Sequence, residues 1–446
     1  MTKSYFFVGV GGSGMAPLAQ IVRARGSHVA GSDRTLDQGR SSPSLDALAA
    51  LGIALHRQDG SGIVSADQVV VASAAIEESV PDIVRATELG CRRMTRAELL
   101  AELFAVAPTR IAVGGTSGKS TVTGMIGWIL TQSGRDPTIL NGAVMKNFGA
   151  GARLGCEALF VSEVDESDGS IALYTPTVAV LTNVAVDHKP IEELRGLFGA
   201  FLNRAAFAVV NVDNAEARQL TTPTAKTFGT TPEADLRATD IVERPGGVEF
   251  TVSDTRVSLA VPGRHNVSNA RAALAATQAV GVALDVGAAA LADFAGLARR
   301  METIGQAGDI TIIDDFAHNP DKIAATLSAL HAFPGRLLVF FQPHGYGPLK
   351  LMGRELAYAF RANLAEGDRL IVSDPAYFGG TVDRSVGSEA LVAGVGDAAE
   401  HIATRDACGE RLVALVRPQD RIIVMGARDD SLSTFASGLL GVLTRA

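Results

Sequence analysis

Apolar positions along this chain fall into two alternating patterns: short unbroken runs, and longer stretches in which they recur every third or fourth residue. Unbroken runs suit strands buried on both faces, and the longer period suits helices packed by one face. Their alternation predicts parallel sheets covered by helices. In the first third, residues 5–10 read as a strand, followed by a glycine turn and a helix over 15–25. Residues 28–31 and 68–72 are further strands, 97–105 a helix, and 106–109 a linker.

The pattern restarts at Arg110, with a strand over 111–113, a helix over 121–132, and strands over 158–163, 178–182 and 207–211. Residues 248–259 alternate apolar and polar side chains, which predicts antiparallel pairing. An alanine-rich helix over 269–279 follows, and this unit closes near 296–302. A third restart places strands at 310–313, 336–341, 369–373 and 421–425. Three successive α/β units are therefore expected, over 1–108, 109–302 and 303–446, with no fixed-period repeat.

Composition narrows the class. A length of 446 residues suits several domains, and 47% hydrophobic with 20% charged residues is the balance of a soluble globular protein. No apolar run is long enough to span a membrane, and glycines break the N-terminal one, which reads as a strand and not a secretory signal. A net charge of −8 argues against nucleic acid as a partner. Cys91, Cys156 and Cys408 are scattered, lack metal-ligand spacing, and fit packing residues in a reducing cytoplasm.

Candidate chemistry clusters after the strands. Gly9-Val10-Gly11-Gly12-Ser13-Gly14 lies between a strand and a helix, with Asp33 further on. Glycines there let the backbone approach a pyrophosphate at a helix N-terminus. The pattern matches a nicotinamide-dinucleotide fingerprint, but any nucleotide diphosphate satisfies the physics. Gly114-Gly115-Thr116-Ser117-Gly118-Lys119-Ser120-Thr121 ends like a phosphate-binding loop, although Val113 stands where the usual spacing wants glycine. Lys119 can reach phosphate oxygens and Ser120 can ligate Mg²⁺. The acidic stretch 162–168 contains Glu163, and 182–188 ends in Asp187-His188; both follow strands and offer metal ligands. The segments 263–270, 314–320 and 341–344 repeat the logic with Asn, Asp and His, and each alone fits helix capping or turn chemistry equally.

Together and in this order, these segments resemble the Mur ligase family of ATP-dependent amide-forming enzymes, over nearly the whole chain. The branch most similar joins alanine to UDP-N-acetylmuramate, with the recycling branch that attaches a tripeptide second. In that family the loop reads GT-x-GKT or GT-x-GKS, as at Gly115–Ser120 here. The resemblance implies an α/β chain of three domains. An N-terminal Rossmann-like domain takes the UDP-sugar, a central P-loop ATPase-like domain with a mixed sheet takes ATP, and a C-terminal Rossmann-like domain takes the amino acid or short peptide. It implies UDP contacts from Gly11, Gly12, Ser13, Gly14, Met15, Asp33 and Ser73. ATP contacts fall to Gly115, Thr116, Gly118, Lys119, Ser120, Thr121, His265, Asn269, Arg300 and Asp315. Ser120, Glu163 and His188 would hold Mg²⁺, and His318 and His344 are candidates for the general base. Tyr346 and Arg354 fall to the acceptor.

Two sequence features refine the branch. No lysine occurs between Lys189 and Lys226, so the carbamylated lysine of several Mur ligases has no counterpart, as in the alanine-adding and recycling branches. After Phe341-Gln342-Pro343-His344, Tyr346 keeps its family position, but Pro348 and Leu349 stand where Arg and Thr are usual. Asn319, Lys189-Pro190 and Ser117 are lesser departures. Alanine is the expected acceptor, a larger peptide the second, and another amino acid the third. From other classes, a nicotinamide-dependent oxidoreductase would explain only the first glycine motif and Asp33, and a non-catalytic nucleotide-binding scaffold leaves Lys119, Ser120, Glu163 and His188 without a purpose.

Overall fold

Five short strands at the start of the chain pair into one parallel sheet, in the order Ala54–His56, His28–Ser32, Ser4–Val8, Gln68–Ala72 and Arg93–Thr95. The protein is described here from a computed structural model covering residues 3–445, except 13, 74, 75, 186–188, 377–382, 428 and 430. Phe6, Phe7 and Val8 of the middle strand are buried, as expected of a strand covered on both faces. The helix Met15–Ala24 buries Leu18, Ala19, Ile21 and Val22 in one core with Phe7, while Phe6 and Val8 face a second cluster. Strand order reverses between Ser4–Val8 and Gln68–Ala72, so the glycine loop and Ser73 leave the sheet at its topological switch point, where such folds bind ligands. The outer strands have three residues each, too short for a periodic signal in sequence.

A second, ten-stranded sheet is mixed. Its centre runs parallel through Phe207–Asn211, Val178–Leu181, Thr109–Gly114, Cys156–Glu163 and Pro137–Met145, and Ala150–Arg153 closes one edge antiparallel. At the other edge Gly247–Val252 and Thr255–Leu259 are joined by Ser253-Asp254, both at positive φ, the geometry of a tight hairpin. The stretch 106–109 is not wholly a linker. Ala107 is buried, the strand begins at Thr109, and the Arg110 guanidinium donates to the carbonyls of Ala107 and Thr175 at 2.8 and 2.9 Å. The helix expected over 269–279 begins at Arg264, five residues earlier than its alanine-rich core.

The third sheet has six strands, with Glu302–Ala307 antiparallel at one edge and Ile310–Asp315, Arg421–Gly426, Leu337–Gln342, Arg369–Val372 and Ala399–His401 parallel. The chain divides into two compact units: Met1–Ile241 with Glu249–Leu259 and Val267–Ala295, and Val242–Val248 with Ala260–Asn266 and Gly296–Ala446. Within the first unit the two sheets share a core. Phe104 packs edge-on against Phe160 and Tyr174, with ring centroids 5.6 and 5.3 Å apart. Among the described residues no helix is long and apolar enough to cross a membrane.

Candidate active site

The strand Thr109–Gly114 stays in the sheet through Val113, which pairs with Val180 on one side and Glu163 on the other. Val113 is wholly buried, so the first loop glycine is not needed at that position. The turn begins at Gly115 (φ +134) and ends at Gly118 (φ +83), which caps the helix Lys119–Gln132. Both values favour glycine, and a Cβ at Gly115 would lie 2.0 Å from Thr182 Oγ1. Two residues from the adjoining strand end pin the loop. The Thr182 hydroxyl donates to Ser117 O (2.6 Å), while Asn183 Oδ1 accepts from the Ser117 amide (2.8 Å) and the Thr116 hydroxyl (3.2 Å). Asn269 packs on the loop from the helix Arg264–Ala279, with its Oδ1 2.7 Å from where a Gly118 Cβ would be.

Charged groups converge at the helix start. Lys119 Nζ donates to Gly115 O (2.7 Å) and to both Glu166 oxygens (2.8 and 3.1 Å). The pair is largely buried, with Lys119 19% and Glu166 5% exposed, so it gains from weak solvent screening. Burial pushes the Glu166 carboxyl up, and the Lys119 ammonium draws it back only in part. Burial also opposes ionisation of Asp165, yet Lys119 and the Ser167 amide and hydroxyl leave that carboxyl below its ordinary range. The Ser120 hydroxyl donates to Glu163 Oε2 at 2.7 Å, and the Asn141 amide donates to Ser120 O at 2.9 Å. A hydroxyl beside a carboxylate is a donor set that a hard divalent cation takes. His188, the third expected ligand, lies outside the described residues. Thr121 is in the first turn of the helix.

The glycine loop of the first sheet is held by Asp33. Asp33 Oδ2 accepts from the Gly11 amide (2.9 Å) and Oδ1 from the Thr35 amide (2.9 Å), so the carboxylate braces the loop and caps the helix Arg34–Asp37. Gly14 caps the helix that begins at Met15, which is buried. Gly12 donates to Gly9 O (3.1 Å), and Ser13 lies outside the described residues. Ser73 borders a surface depression with Ile76, Glu78, Arg93 and Thr95. The glycine loop and phosphate loop meet at a cavity of about 70 Å³, lined by Gly14, Arg96, Lys119, Glu163, Asp165 and Tyr174, among others.

The remaining expected residues belong to the second unit. His265 is exposed in the first turn of its helix. Both Asp315 oxygens accept backbone amides, from Met301 and Ala317 at 2.7 Å each, and burial raises its carboxyl. Arg300 stacks on Phe316, 4.7 Å from the ring centre. His318 and His344 stand edge to face, 5.0 Å apart. The Phe316 carbonyl, 2.8 Å from His318 Nδ1, can only accept, so that nitrogen carries the proton and Nε2 keeps its lone pair. Burial, aided by the Lys322 cation, lowers His318 to about 3. Tyr346 opens the helix Tyr346–Asn363 after Gly345, and Pro348 sits in its first turn, where a missing N–H leaves no hydrogen bond unmade. Arg354 is exposed beside Leu351 and Glu355, and Lys350 pairs with Asp383.

Several contributors lie outside the sequence expectations. Glu166 as the partner of Lys119, Asn141 behind Ser120, and Arg96 at the cavity carry no motif. Arg405 and Asp429, which join Gln342 through hydrogen bonds at the strand ends of the third sheet, were not singled out either. Asp429 had one usable signal, an acid just beyond an apolar run.

Comparison with known proteins extends this picture. The Mur ligase family, catalytic domain, matches residues 4–107; the Mur ligase middle domain matches 113–277; and the Mur ligase, glutamate ligase domain matches 299–428. A UDP-N-acetylmuramate–L-alanine ligase of Sorangium cellulosum is 36% identical, over 95% of this chain and 93% of its own length. The enzyme of that name from Acidithiobacillus ferrooxidans is 39% identical over 83% of each chain. Among solved structures, the UDP-N-acetylmuramate–alanine ligase of Thermotoga maritima superposes with a TM-score of 0.83 at 22% identity, covering 99% of both chains. A murein peptide ligase of Psychrobacter arcticus superposes at 0.73 and 23% identity, covering 100% of this chain and 99% of its own. Those two likenesses concern the fold.

Proposed function

The chain belongs to the Mur ligase family, and on that premise we propose that it joins L-alanine to the lactyl carboxylate of UDP-N-acetylmuramate, with ATP as phosphoryl donor. The observation that supports the reading is that Lys119 and Glu163, the latter bonded to the Ser120 hydroxyl, line one cavity with Gly14 of the glycine loop. The domain roles follow: residues 1–108 take the UDP-sugar, 109–302 take ATP, and 303–446 take the amino acceptor. The work belongs to peptidoglycan-precursor synthesis in the cytoplasm.

The carboxylate oxygen attacks the γ-phosphorus, the bond to the β-phosphate oxygen breaks, and ADP leaves an acyl phosphate behind. The neutral amine then attacks the acyl carbon, inorganic phosphate departs, and the amine gives up a proton as the amide forms. Two anions must approach in the first step, so positive charge has to offset their repulsion. Lys119 supplies it at the β- and γ-phosphates after leaving Glu166, and the amides around Gly118 hold the phosphate chain. Ser120 and Glu163, with His188, would hold Mg²⁺, which supplies charge neutralisation on the triphosphate when bound. Asn269, His265, Asp315 and Arg300 are the proposed nucleoside and γ-phosphate contacts. His344 is the proposed proton acceptor for the amine, and His318 beside it, depressed to about 3, could only pass a proton on and not hold it; Tyr346 and Arg354 fall to the acceptor.

A larger acceptor is the second reading. It rests on Pro348, which puts no cation in the first helical turn to clamp an amino-acid carboxylate, and on Gly347, which is exposed and has nothing within 4 Å of a built Cβ. The test is phosphate release that depends on both ATP and UDP-N-acetylmuramate, run across single amino acids and the recycling tripeptide. Release with alanine supports the first reading, release with the tripeptide alone the second, and none with any acceptor overturns both.

A further inference from the structure

Arg96 stands at the cavity between the two nucleotide-binding loops, and no sequence motif marks it. Its position is fixed from both sides. It is the first residue of the helix Arg96–Ala105, whose start is set by a reciprocal cap. The Glu98 carboxylate accepts from the Thr95 amide (2.7 Å), and the Glu98 amide donates to the Thr95 hydroxyl (3.1 Å). Further along, Leu99, Leu100 and Phe104 are buried, and Phe104 locks the helix onto Phe160 and Tyr174 of the central domain. The guanidinium lies against the glycine loop. A Cβ at Gly14 would be 3.1 Å from Arg96 Cδ and 3.4 Å from Nε, so the bare glycine lets the side chain pass.

Two cations line this cavity. Lys119 is paired with Glu166, whereas the half-buried Arg96 makes no hydrogen bond or ion pair among the described residues. Of the nearby acids, Glu163 is bonded to Ser120 and Glu166 to Lys119. Asp165 senses Arg96 electrostatically without contacting it. The planar fork of the Arg96 guanidinium, engaged by no described residue, fits a carboxylate with two parallel hydrogen bonds.

We propose that Arg96 binds the carboxylate of the sugar-nucleotide substrate beside the triphosphate site, and so selects a sugar that carries an acid. The proposal rests on the ligase reading and adds to it the residue that holds the nucleophile. The cavity wall is shared with Lys119 and Glu163, the proposed phosphate and Mg²⁺ contacts. An anion there would stand beside the side chain proposed to hold the triphosphate, whereas the amides of the glycine loop suit the diphosphate.

The test compares UDP-N-acetylmuramate with UDP-N-acetylglucosamine, which has the same nucleotide and hexosamine but no lactyl acid. Binding of each, and of ATP, is measured by calorimetry for the wild type, R96M and R96K. R96M should weaken UDP-N-acetylmuramate by roughly 10- to 100-fold while UDP-N-acetylglucosamine and ATP change by less than about twofold. Turnover should fall with it, and R96K should recover part of both. Retained ATP affinity shows that the variant is folded. Equal loss for both sugar nucleotides would assign Arg96 to the diphosphate and overturn the proposal, as would discrimination in R96M that matches a wild type shown to turn over. A wild type that neither binds UDP-N-acetylmuramate nor releases phosphate with it overturns the ligase reading and this assignment together.

Discussion

The Lys119 ammonium lies 2.8 Å from a Glu166 oxygen, and the same side chain is the one proposed to meet the phosphates of ATP. Glu166 therefore competes with the nucleotide for Lys119. Neutralising it with Glu166→Gln should tighten ATP binding by roughly fivefold or more, because the phosphates no longer displace a full charge. Calorimetry decides this, and weaker binding would mean that Glu166 aims Lys119 instead of restraining it. Lys119→Ala should abolish phosphate release and lower stability by about 3 kcal/mol, since it strands a buried carboxylate. Adding Glu166→Gln to Lys119→Ala should restore most of that stability but none of the turnover.

Gly115→Ala forces a side chain to within 2.0 Å of Thr182 Oγ1 at a φ of +134. Something must shift, and the loop is the part least anchored by apolar packing. ATP affinity should fall by at least about tenfold, with a loss of about 1–3 kcal/mol in stability. Unchanged ATP affinity would show that the loop has room to adapt.

Ser120→Ala and Glu163→Gln remove one oxygen donor each from the proposed cation site. Half-saturating Mg²⁺ in the phosphate-release assay should rise by roughly 10- to 100-fold for each. Chelation of the metal should stop the wild type. A Mg²⁺ requirement identical to wild type in both variants would remove these residues from the site.

His318 predicts a pH effect with a definite sign. In the unfolded chain it takes up a proton near its ordinary value of about 6.5, whereas in the fold it does so only near 3. Between those values the unfolded state binds more protons, so stability falls as pH drops through that window. The His318 share is at most about 1.4 kcal/mol per pH unit. His318→Gln should therefore lose less stability than wild type between pH 7 and about 4, as thermal melts across that range would show. A parallel decline in both proteins would put the acid sensitivity elsewhere.

Local chemistry made the phosphate loop legible in sequence. Gly115, Gly118, Lys119 and Ser120 lie within a few residues of one another, between an apolar run and a helical stretch. The apparent fault at Val113 reflects a spacing rule that counts residues and cannot see that the strand runs one position further. Glu166 was harder, because Glu163, Asp165, Glu166 and Asp168 look alike in a row. Only the turn after the strand sends Glu166 to Lys119 and Glu163 to Ser120. Arg96 was hidden for another reason. Its neighbours Gly14 and Asp165 are 82 and 69 positions away in the chain, and the packing of Phe104 brings them together. The outer strands of the first sheet escaped notice because three residues carry no period.

Thr182 and Asn183 already hold the phosphate loop through four of its atoms: Ser117 O and N, and Thr116 Oγ1 and N. The entropy of ordering that turn is thus spent when the protein folds, not when the nucleotide arrives. Association with ATP should then follow single-step kinetics whose rate rises linearly with nucleotide concentration, with no slow isomerisation of the loop behind it.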